Sequence, residues 1–213
     1  MEKNRRHEIL NTAEQLFAQN GYDGVSIRDI TSAADVRLAS VNYYFGTKHA
    51  LFWEILERRG GQVFSDRRSA LNAIDFKNLS DREIIRQLVH ASADPLLKRV
   101  LLGDKTWRAY VSLLTQYIAR PLKDDEGPAD LHKYDVVSLD YIKVLEKFLP
   151  EEEKRKAHHA FQFLISSTLM LFANNGRLNT LSASEFKSNE YEKIYQDGID
   201  FIVGGMTALL LGD

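Results

Sequence analysis

The sequence contains no cysteine, which excludes a disulfide framework, a thiolate metal site and cysteine catalysis. Glycine and proline are also scarce, with 12 and 4 in 213 residues, and this scarcity favours long helices over many turn-linked strands. The two most apolar windows, 161–173 and 201–211, are shorter than the roughly 18 residues of a membrane span. We therefore expect an intracellular, cytoplasmic protein with no membrane partner.

An excess of basic charge is missing too. The formal net charge is −2, whereas domains that bind nucleic acid usually carry a basic surplus. Residues 1–60 hold eight basic and eight acidic side chains, and the remainder holds 20 basic against 22 acidic ones. The total charge therefore neither supports nor excludes DNA binding, and the placement of individual cations decides.

Apolar side chains recur at helical spacing through most of the chain, as at Ile9, Ala13 and Phe17. No useful stretch alternates in the manner of a strand. The pattern predicts an all-α protein of about nine or ten helices. Ser26 and the run S-x-x-E beginning at Ser80 are typical helix starts, because each hydroxyl can accept a hydrogen bond from an exposed amide of the first turn.

The four prolines are expected at the boundaries of helices, where the missing N–H removes no hydrogen bond from the helix. Pro95 is predicted to begin a helix, and Pro150 with the three glutamates after it to begin another that runs through Phe172. A helix is expected over Tyr134–Leu149. Residues 178–184 are predicted to form a loop, followed by a last helix over about Glu190–Leu211.

The segment from Ser26 to Phe45 has the layout of a helix-turn-helix, with a tight turn at residues 34–37. In that motif the second helix enters the DNA major groove. The side chains expected to face inward are Ile27, Ile30, Val36, Val41 and Phe45. The opposite face would present Leu38, Ala39, Asn42 and Tyr43, an uncharged surface on which Asn42 suits adenine and the tyrosine hydroxyls suit phosphates.

The N-terminal quarter resembles the DNA-binding head of TetR-family transcriptional regulators. The matching stretches are ILNTAEQLFAQNGYDGVSIRDITSAADV and RLASVNYYFGTKHALFWEIL. The resemblance implies a three-helix DNA-binding head, residues 1–47, on a larger helical ligand-binding and dimerisation domain, residues 48–213. It also implies a homodimer that binds a palindromic double-stranded DNA operator and is released by a small-molecule effector.

The resemblance implies a set of DNA contacts in three groups. Ser26 and Arg28 would meet phosphates, and Arg37 would add a phosphate or guanine contact. The residues facing the groove would be Leu38, Ala39, Ser40 and Asn42, and those clamping the backbone Tyr43, Tyr44 and Lys48.

Three positions depart from the family's common pattern. Asp35 stands where a glycine is usual, and Asp tolerates a left-handed backbone better than most residues. Arg37 stands where a hydroxyl cap is usual. Leu38 replaces a frequent polar residue and could contact a thymine methyl. These changes leave DNA binding expected and bear on which operator is read.

The C-terminal part carries less information. The last two long helices are apolar on more than one side, and the glycines of the last helix suit close helix packing. We expect these two helices to form an isologous four-helix dimer interface. A hydrophobic effector would lie among the middle helices, against Trp107, Tyr110, Leu114, Tyr117, Tyr141, Phe161 and Phe172, although aromatics at helical spacing are more often plain core.

Two function hypotheses stay open at this point. The first is a ligand-responsive DNA-binding repressor. The second is a small-molecule-binding or helical interaction protein whose head no longer binds DNA, favoured by the neutral head and by the departures at Arg37 and Leu38. No enzyme motif is present, and neither a cofactor nor a metal site is expected, since the adjacent His158 and His159 point in different directions on a helix.

Overall fold

The computed structural model describes residues 2–102, 105–119, 131–172 and 176–212. In these ranges the chain forms ten α-helices, two short 3-10 helices and no strand, so the predicted all-α class is confirmed. The α-helices are α1 Glu2–Asn20, α2 Ile27–Ala33, α3 Leu38–Phe45, α4 Lys48–Asn72, α5 Asp81–Leu102, α6 Lys105–Ala119, α7 Leu131–Leu145, α8 Arg155–Phe172, α9 Arg177–Leu181 and α10 Tyr191–Leu211.

The helices belong to two compact units. The first comprises Met1–Gln62 and Gly103–Gly127, and the second comprises Val63–Leu102 and Pro128–Asp213. Helices α1, α2, α3 and α6 therefore belong to the first unit, α5, α7, α8, α9 and α10 to the second, and α4 contributes residues to both. The expected boundary at residue 47 separates a DNA-binding part from a ligand-binding part, whereas the two units are defined by their compactness. That functional boundary stays a prediction.

The first unit is built on the apolar face of α1, which packs against α2 and α6. Ile9 and Phe17 on this face are fully buried, together with Ile30 of α2 and Val41 of α3. The ring of Phe17 also meets Phe52 of α4 edge-on, with centroids 5.4 Å apart. The short helices α2 and α3 bury too few residues to be stable alone, so α2 depends on its packing against α1, and α3 on its packing against α2.

Helix starts follow the predicted capping chemistry. The Ser26 hydroxyl accepts from the Asp29 amide, while the Asp29 carboxylate accepts from the Ser26 amide, so both halves of a capping box are present. Thr47 Oγ1 accepts from the Ala50 amide at 3.0 Å, and Ser80 Oγ accepts from the Glu83 amide at 3.3 Å. These bonds satisfy amides that have no partner inside the helix.

The core of the second unit forms around α10, which packs against α8 and α5. Ile199, Ile202 and Val203 of α10 are buried, as are Leu164 and Thr168 of α8. The glycine pattern of α10 has the expected consequence at Gly198, where an added Cβ would overlap the side chain of Leu171 on α8. The absence of a side chain at residue 198 thus allows α8 and α10 to approach closely.

The prediction that Pro95 begins a helix is wrong, because Pro95 lies inside α5. Proline cannot donate to the carbonyl of Ala91, four residues earlier, and normally costs about 3 kcal/mol in a helix interior. Here Pro95 is buried with Ala91, Leu96 and Val100, and this apolar packing offsets the lost hydrogen bond. The expectation that all four prolines mark boundaries therefore fails at this residue; Pro121 and Pro128 lie outside the described residues.

Two other boundaries also differ from expectation. The predicted loop 178–184 contains the short helix α9, which is followed by a compact turn with positive φ at Ala183 and Ser184. Ser182 Oγ donates to the Leu178 carbonyl and accepts from the Phe186 amide, and such side-chain bonds leave no trace in apolar periodicity. The helix predicted to run from Pro150 is divided, because Glu151–Glu153 is a separate 3-10 turn before α8 begins.

One helix among the described residues, α10, is long and apolar enough to cross a membrane by length and composition. The apolar window 201–211 by itself is too short to span a membrane. Helix α10 reaches the required length because it also includes the more polar residues 191–200. Nine residues of α10 are buried, and the helix packs against α8 and α5. We therefore assign α10 to the core of the second unit, since core helices satisfy the same criteria.

The close approach at Gly198 gives a test of the packing. We expect Gly198→Val to lower the free energy of unfolding by about 1–3 kcal/mol, because the added carbons must displace Leu171. The matched control is Gly61→Ala on α4, where nothing lies within 4 Å of the added Cβ. That control should raise the free energy of unfolding by up to about 1 kcal/mol through helix propensity. Urea denaturation measures both, and equal stability of the two variants would contradict the packing.

Candidate DNA-binding site

The turn between α2 and α3 has the geometry that a helix-turn-helix requires. Asp35 adopts φ 50°, which is the left-handed backbone expected where a glycine is common. The amide of Val36 donates to the Thr31 carbonyl at 3.0 Å, and the Ala34 amide donates to the Ile30 carbonyl at 2.9 Å. The substitution of Asp for the usual glycine thus preserves the turn.

The two faces of α3 are separated as predicted. Val41 and Phe45 are buried, whereas Leu38 is 48% exposed and Tyr43 is 75% exposed. Ala39 and Asn42 are also exposed. The helix therefore presents an uncharged, solvent-facing surface, and we call Leu38, Ala39, Asn42 and Tyr43 the α3 face. Ile27 and Val36, which were expected to face inward, are only half-buried.

Arg37 occupies the N-cap of α3 with an extended backbone, and its side chain makes no capping hydrogen bond. An arginine cannot accept a bond from the helix amides, which confirms that it caps poorly. The Arg37 side chain is exposed, as is that of Arg28 on α2. Two guanidinium groups therefore border the α3 face, one at its start and one on the preceding helix.

The Ser26 hydroxyl is already engaged. Besides accepting from the Asp29 amide, it donates to Asp29 Oδ2 at 2.6 Å. These hydrogen bonds, first from the side chain and then from the backbone, lower the pKa of the Asp29 carboxyl. The side chain of Ser26 is therefore primarily the cap of α2, and its exposed position at the helix start places it beside Arg28.

The other polar residues expected at the site are held by aromatic contacts or are partly covered. Lys48 Nζ lies 4.2 Å from the centroid of the Tyr22 ring, a cation–π contact that the sequence did not predict. Tyr44 is half-buried, with its ring 5.1 Å from the Tyr43 ring. Ser40 is half-buried on α3. Tyr43 is thus the more accessible of the two tyrosines.

A buried carboxylate in the first unit is a second feature that the sequence did not reveal. Glu14 lies on the apolar side of α1 and is almost fully buried. It accepts from Arg59 Nε at 2.7 Å and forms a short ion pair with Arg58, both on α4. The sequence features that could have indicated this ion pair are Glu14 beside the apolar residues of α1 and the adjacent Arg58 and Arg59 on α4.

Arg59 has a second contact on its other side. Its guanidinium carbon lies 5.1 Å from the centroid of the Trp107 ring on α6. Trp107 in turn meets the buried Tyr110 edge-on at 5.8 Å. The chain of contacts Glu14, Arg59 and Trp107, which we call the Arg59 relay, therefore joins α1, α4 and α6 within one unit.

The expected effector residues separate into two groups. Trp107, Tyr110 and Leu114 lie on α6 in the first unit, where Tyr110 is buried and the other two are half-buried. The side chain of Tyr117 lies outside the described residues. Tyr141, Phe161 and Phe172 are buried in the second unit.

The second group is engaged with a buried arginine and with other rings. Tyr141 donates its hydroxyl to the Arg67 carbonyl at 2.9 Å, and the Arg67 guanidinium lies against the rings of both Tyr141 and Phe161. Burial raises the pKa of Tyr141 to about 12, which keeps the hydroxyl protonated as a donor. Phe172 stacks with Tyr195 at 6.2 Å. These contacts are those of core residues.

The faces of α8 and α10 turned away from the core retain large apolar side chains. Phe163 and Met170 of α8 are 59% and 57% exposed, and Phe201 of α10 is 76% exposed. Gly205 of α10 is also exposed, with open space where a Cβ would stand. Exposed aromatic side chains on packed core helices are typical of a surface that another molecule covers.

No group of three His, Asp or Glu side chains within residues 2–102, 105–119, 131–172 and 176–212 could hold a metal ion. His158 Nε2 lies 3.7 Å from a Glu146 oxygen, a contact that occupies it with a single surface carboxylate.

Comparison with known proteins agrees with this arrangement. Residues 9–55 match the family model described as bacterial regulatory proteins, tetR family. Residues 90–205, more than half of the chain, match the model of the tetracyclin repressor-like C-terminal domain. The HTH-type transcriptional regulator YttP of Bacillus subtilis is 39% identical over 51 residues, which span 24% of this chain and 25% of that protein.

Solved structures share the fold at low identity. NalD, the secondary repressor of the MexAB-OprM multidrug efflux pump in Pseudomonas aeruginosa, is 22% identical with a TM-score of 0.54, and the match covers 94% of this chain and 97% of that one. The regulator PfmR of Thermus thermophilus is 16% identical with a TM-score of 0.56, covering 95% and 96%. The two matched family models, together with the observed helix-turn-helix, show that the chain belongs to the TetR family of bacterial transcriptional regulators.

Proposed function

We propose that this chain is a cytoplasmic repressor that binds a palindromic operator as a homodimer and leaves it when a small hydrophobic effector binds. The observation that carries the proposal is the exposed, uncharged α3 face bordered by Arg28 and Arg37. A solubilising helix surface is normally rich in charge, whereas a groove-reading helix needs side chains that tolerate close approach to base edges.

On this proposal the residues of the head have two roles. Leu38, Ala39, Ser40 and Asn42 read the major groove, with Asn42 paired to an adenine and Leu38 against a thymine methyl. The phosphate contacts come from the residues Ser26, Arg28, Arg37, Tyr43, Tyr44 and Lys48. Because the Lys48 ammonium lies over the Tyr22 ring, it is held near the start of α4 and samples fewer side-chain conformations.

Asn42 and Arg37 give the first test of this assignment. We expect Asn42→Ala to weaken binding to the selected operator by about 1–3 kcal/mol and to relax the preference at one base position, because a bidentate base contact is lost. Arg37→Gln should weaken binding uniformly and flatten the slope of log affinity against log salt by about 1 per lost phosphate contact. Site selection from random DNA, followed by titration at several salt concentrations, measures both effects.

The control for this test is Arg82→Gln, an exposed arginine on α5 in the second unit. It should leave both the selected sequence and the salt slope unchanged. A parent protein that enriches no palindrome at low salt would favour the alternative, a head that no longer binds DNA. An unaltered base preference in Asn42→Ala would remove Asn42 from the readout.

We further propose that the homodimer forms through the exposed faces of α8 and α10. Phe163, Met170 and Phe201 supply apolar area, and Gly205 permits close approach of a helix from the second copy. An interface of this type is isologous, so each side chain is used twice, once on each subunit.

Phe201→Glu tests the interface. It places two carboxylates into one apolar surface, and we expect the dimer to dissociate to monomers at micromolar concentration. The control is Phe186→Glu, because Phe186 is 54% exposed yet lies outside both helices. Sedimentation velocity distinguishes the states. A monomer for both variants, or a dimer for both, would contradict the assignment to α8 and α10.

The effector is proposed to act on the α6 side chains Trp107, Tyr110 and Leu114. Helix α6 packs against α1 of the DNA-binding head. The Trp107 ring also contacts the guanidinium of Arg59 in the Arg59 relay. A ligand that binds Trp107 differently in two states would shift the position of α1 and so the affinity for DNA. Tyr117, Tyr141, Phe161 and Phe172 remain predicted effector contacts.

The relay can be tested without knowing the effector. Trp107→Leu removes the ring beneath the Arg59 guanidinium, and we expect operator affinity to fall about 2–5-fold, as for loss of a partly exposed cation–π contact. The matched variant Trp107→Phe keeps an aromatic face and should change affinity less than about 2-fold. Fluorescence anisotropy with the selected operator measures both. Equal affinities for the two variants would show that the ring face has no part in holding the head.

A further inference from the structure

A titratable cluster in the second unit lies outside the DNA-binding head and outside the exposed faces of α8 and α10. It consists of His90 and Asp94 on α5 and Tyr195 on α10, which line the wall of a groove of about 690 Å³. The groove also carries Asp66 of α4 and Lys98 of α5. The open groove gives solvent protons access to the imidazole.

The three side chains share hydrogen bonds. His90 Nδ1 lies 3.1 Å from Asp94 Oδ1, and the Tyr195 hydroxyl donates to the same carboxylate oxygen in a short contact. The Tyr195 hydroxyl oxygen is also 3.4 Å from His90 Nδ1. One carboxylate oxygen thus has hydrogen-bonding neighbours on two different helices, and the protonation of His90 decides whether Nδ1 donates to that oxygen or accepts from the hydroxyl.

Protonation of His90 changes which bonds this cluster can make. A charged imidazole donates from Nδ1 to Asp94 Oδ1 and so competes with the Tyr195 hydroxyl for the same oxygen. A neutral imidazole with its proton on Nε2 presents a lone pair at Nδ1, which faces the carboxylate unfavourably and can instead accept from the Tyr195 hydroxyl. The contact between α5 and α10 therefore has two hydrogen-bonded arrangements.

We propose that His90, Asp94 and Tyr195 form a proton-sensitive latch that ties α5 to α10 more firmly when His90 is neutral. The inference does not depend on DNA binding, because the groups and their contacts lie entirely within the second unit. It gives the protein a response to pH in the physiological range, which no residue of the α3 face provides.

Other charges around His90 modulate the latch. On α5, Asp94 and Glu83 favour the charged imidazole, and Arg86 opposes it while pairing with Asp200 of α10 at 3.0 Å. On α4, Asp66 pairs with Arg99, so its charge is largely offset. Lys98 faces the same groove and opposes protonation. Asp94 is therefore the main acidic partner of His90.

The hydrogen bond to Asp94 raises the pKa of His90 above its usual 6.5, against the opposing effect of partial burial. A raised folded-state pKa means that the His90–Asp94 pair on α5 contributes its full stabilisation below the unfolded value of 6.5 and loses it as the pH rises through the folded value. We therefore expect the protein to lose stability through this group as the pH rises above 6.5.

The experiment combines an NMR titration of the His90 ring with thermal unfolding at several pH values. The His90 midpoint should lie above 6.5, and Asp94→Asn should bring it to 6.5 or below, because burial and Arg86 then prevail. A midpoint one pH unit above the unfolded value corresponds to about a tenfold change in the folding equilibrium constant. His90→Asn should abolish this part of the pH dependence.

Tyr195→Phe separates a latch between helices from a local pair on α5. The hydroxyl competes for Asp94 when His90 is charged and can bond Nδ1 when His90 is neutral, so removing it should raise the His90 midpoint further. A double-mutant cycle of His90→Asn with Tyr195→Phe should show a larger favourable coupling at about pH 8 than at about pH 6.

The matched control is His158→Asn, which removes a surface histidine beside Glu146 and leaves α5 and α10 untouched. It should preserve the pH dependence of stability. The proposal is overturned if Tyr195→Phe leaves the His90 midpoint unchanged, if the coupling is equal at both pH values, or if His158→Asn flattens the pH profile as much as His90→Asn does.

Discussion

The DNA-binding head depends on one buried carboxylate. Glu14 is enclosed on α1 and bound by Arg58 and Arg59 of α4, so three charges share a site with little water. Removing one partner from such a site typically costs about 3–5 kcal/mol, because a charge is left buried and uncompensated. Two helices joined in this way resist sliding past one another. The short helix α2, which has little stability of its own, packs against α1, and α3 packs against α2.

Ion pairs also bear on how residues 1–60, which carry no net charge, can bind a polyanion. Arg58 and Arg59 share the single Glu14 carboxylate, and Arg6 is paired with Glu54 while lying over the Phe45 ring. Arg28 and Arg37 are exposed beside the α3 face. On the proposed contacts, Arg28 and Arg37 face DNA, whereas Arg6, Arg58 and Arg59 hold helices together. Few phosphate contacts per subunit would then make non-specific affinity modest, so that fit to the groove and the second subunit would carry the selectivity.

Local patterns predicted the helix-turn-helix well, because its determinants lie within a few residues of one another. The cap at Ser26, the left-handed turn at Asp35 and the two faces of α3 follow from hydroxyl chemistry and 3.6-residue periodicity. The pairing of Glu14 with Arg58 and Arg59 could not be predicted, since it joins residues more than 40 positions apart. Pro95 was misplaced for a related reason, because only tertiary packing makes a proline tolerable inside α5.

Helix α10 connects the remaining features. Its inner side packs against α8 through Gly198 and against α5 through Tyr195, and its outer side exposes Phe201 and Gly205. A change in how α5 holds the inner side must alter the helix that presents the outer side, because a packed helix moves as a rigid element. If a second copy associates through this outer side as proposed, protonation at His90 and that association are linked equilibria, and each biases the other to the same extent. The magnitude of that proposed coupling is then set by how differently α10 is positioned in the two arrangements of the latch.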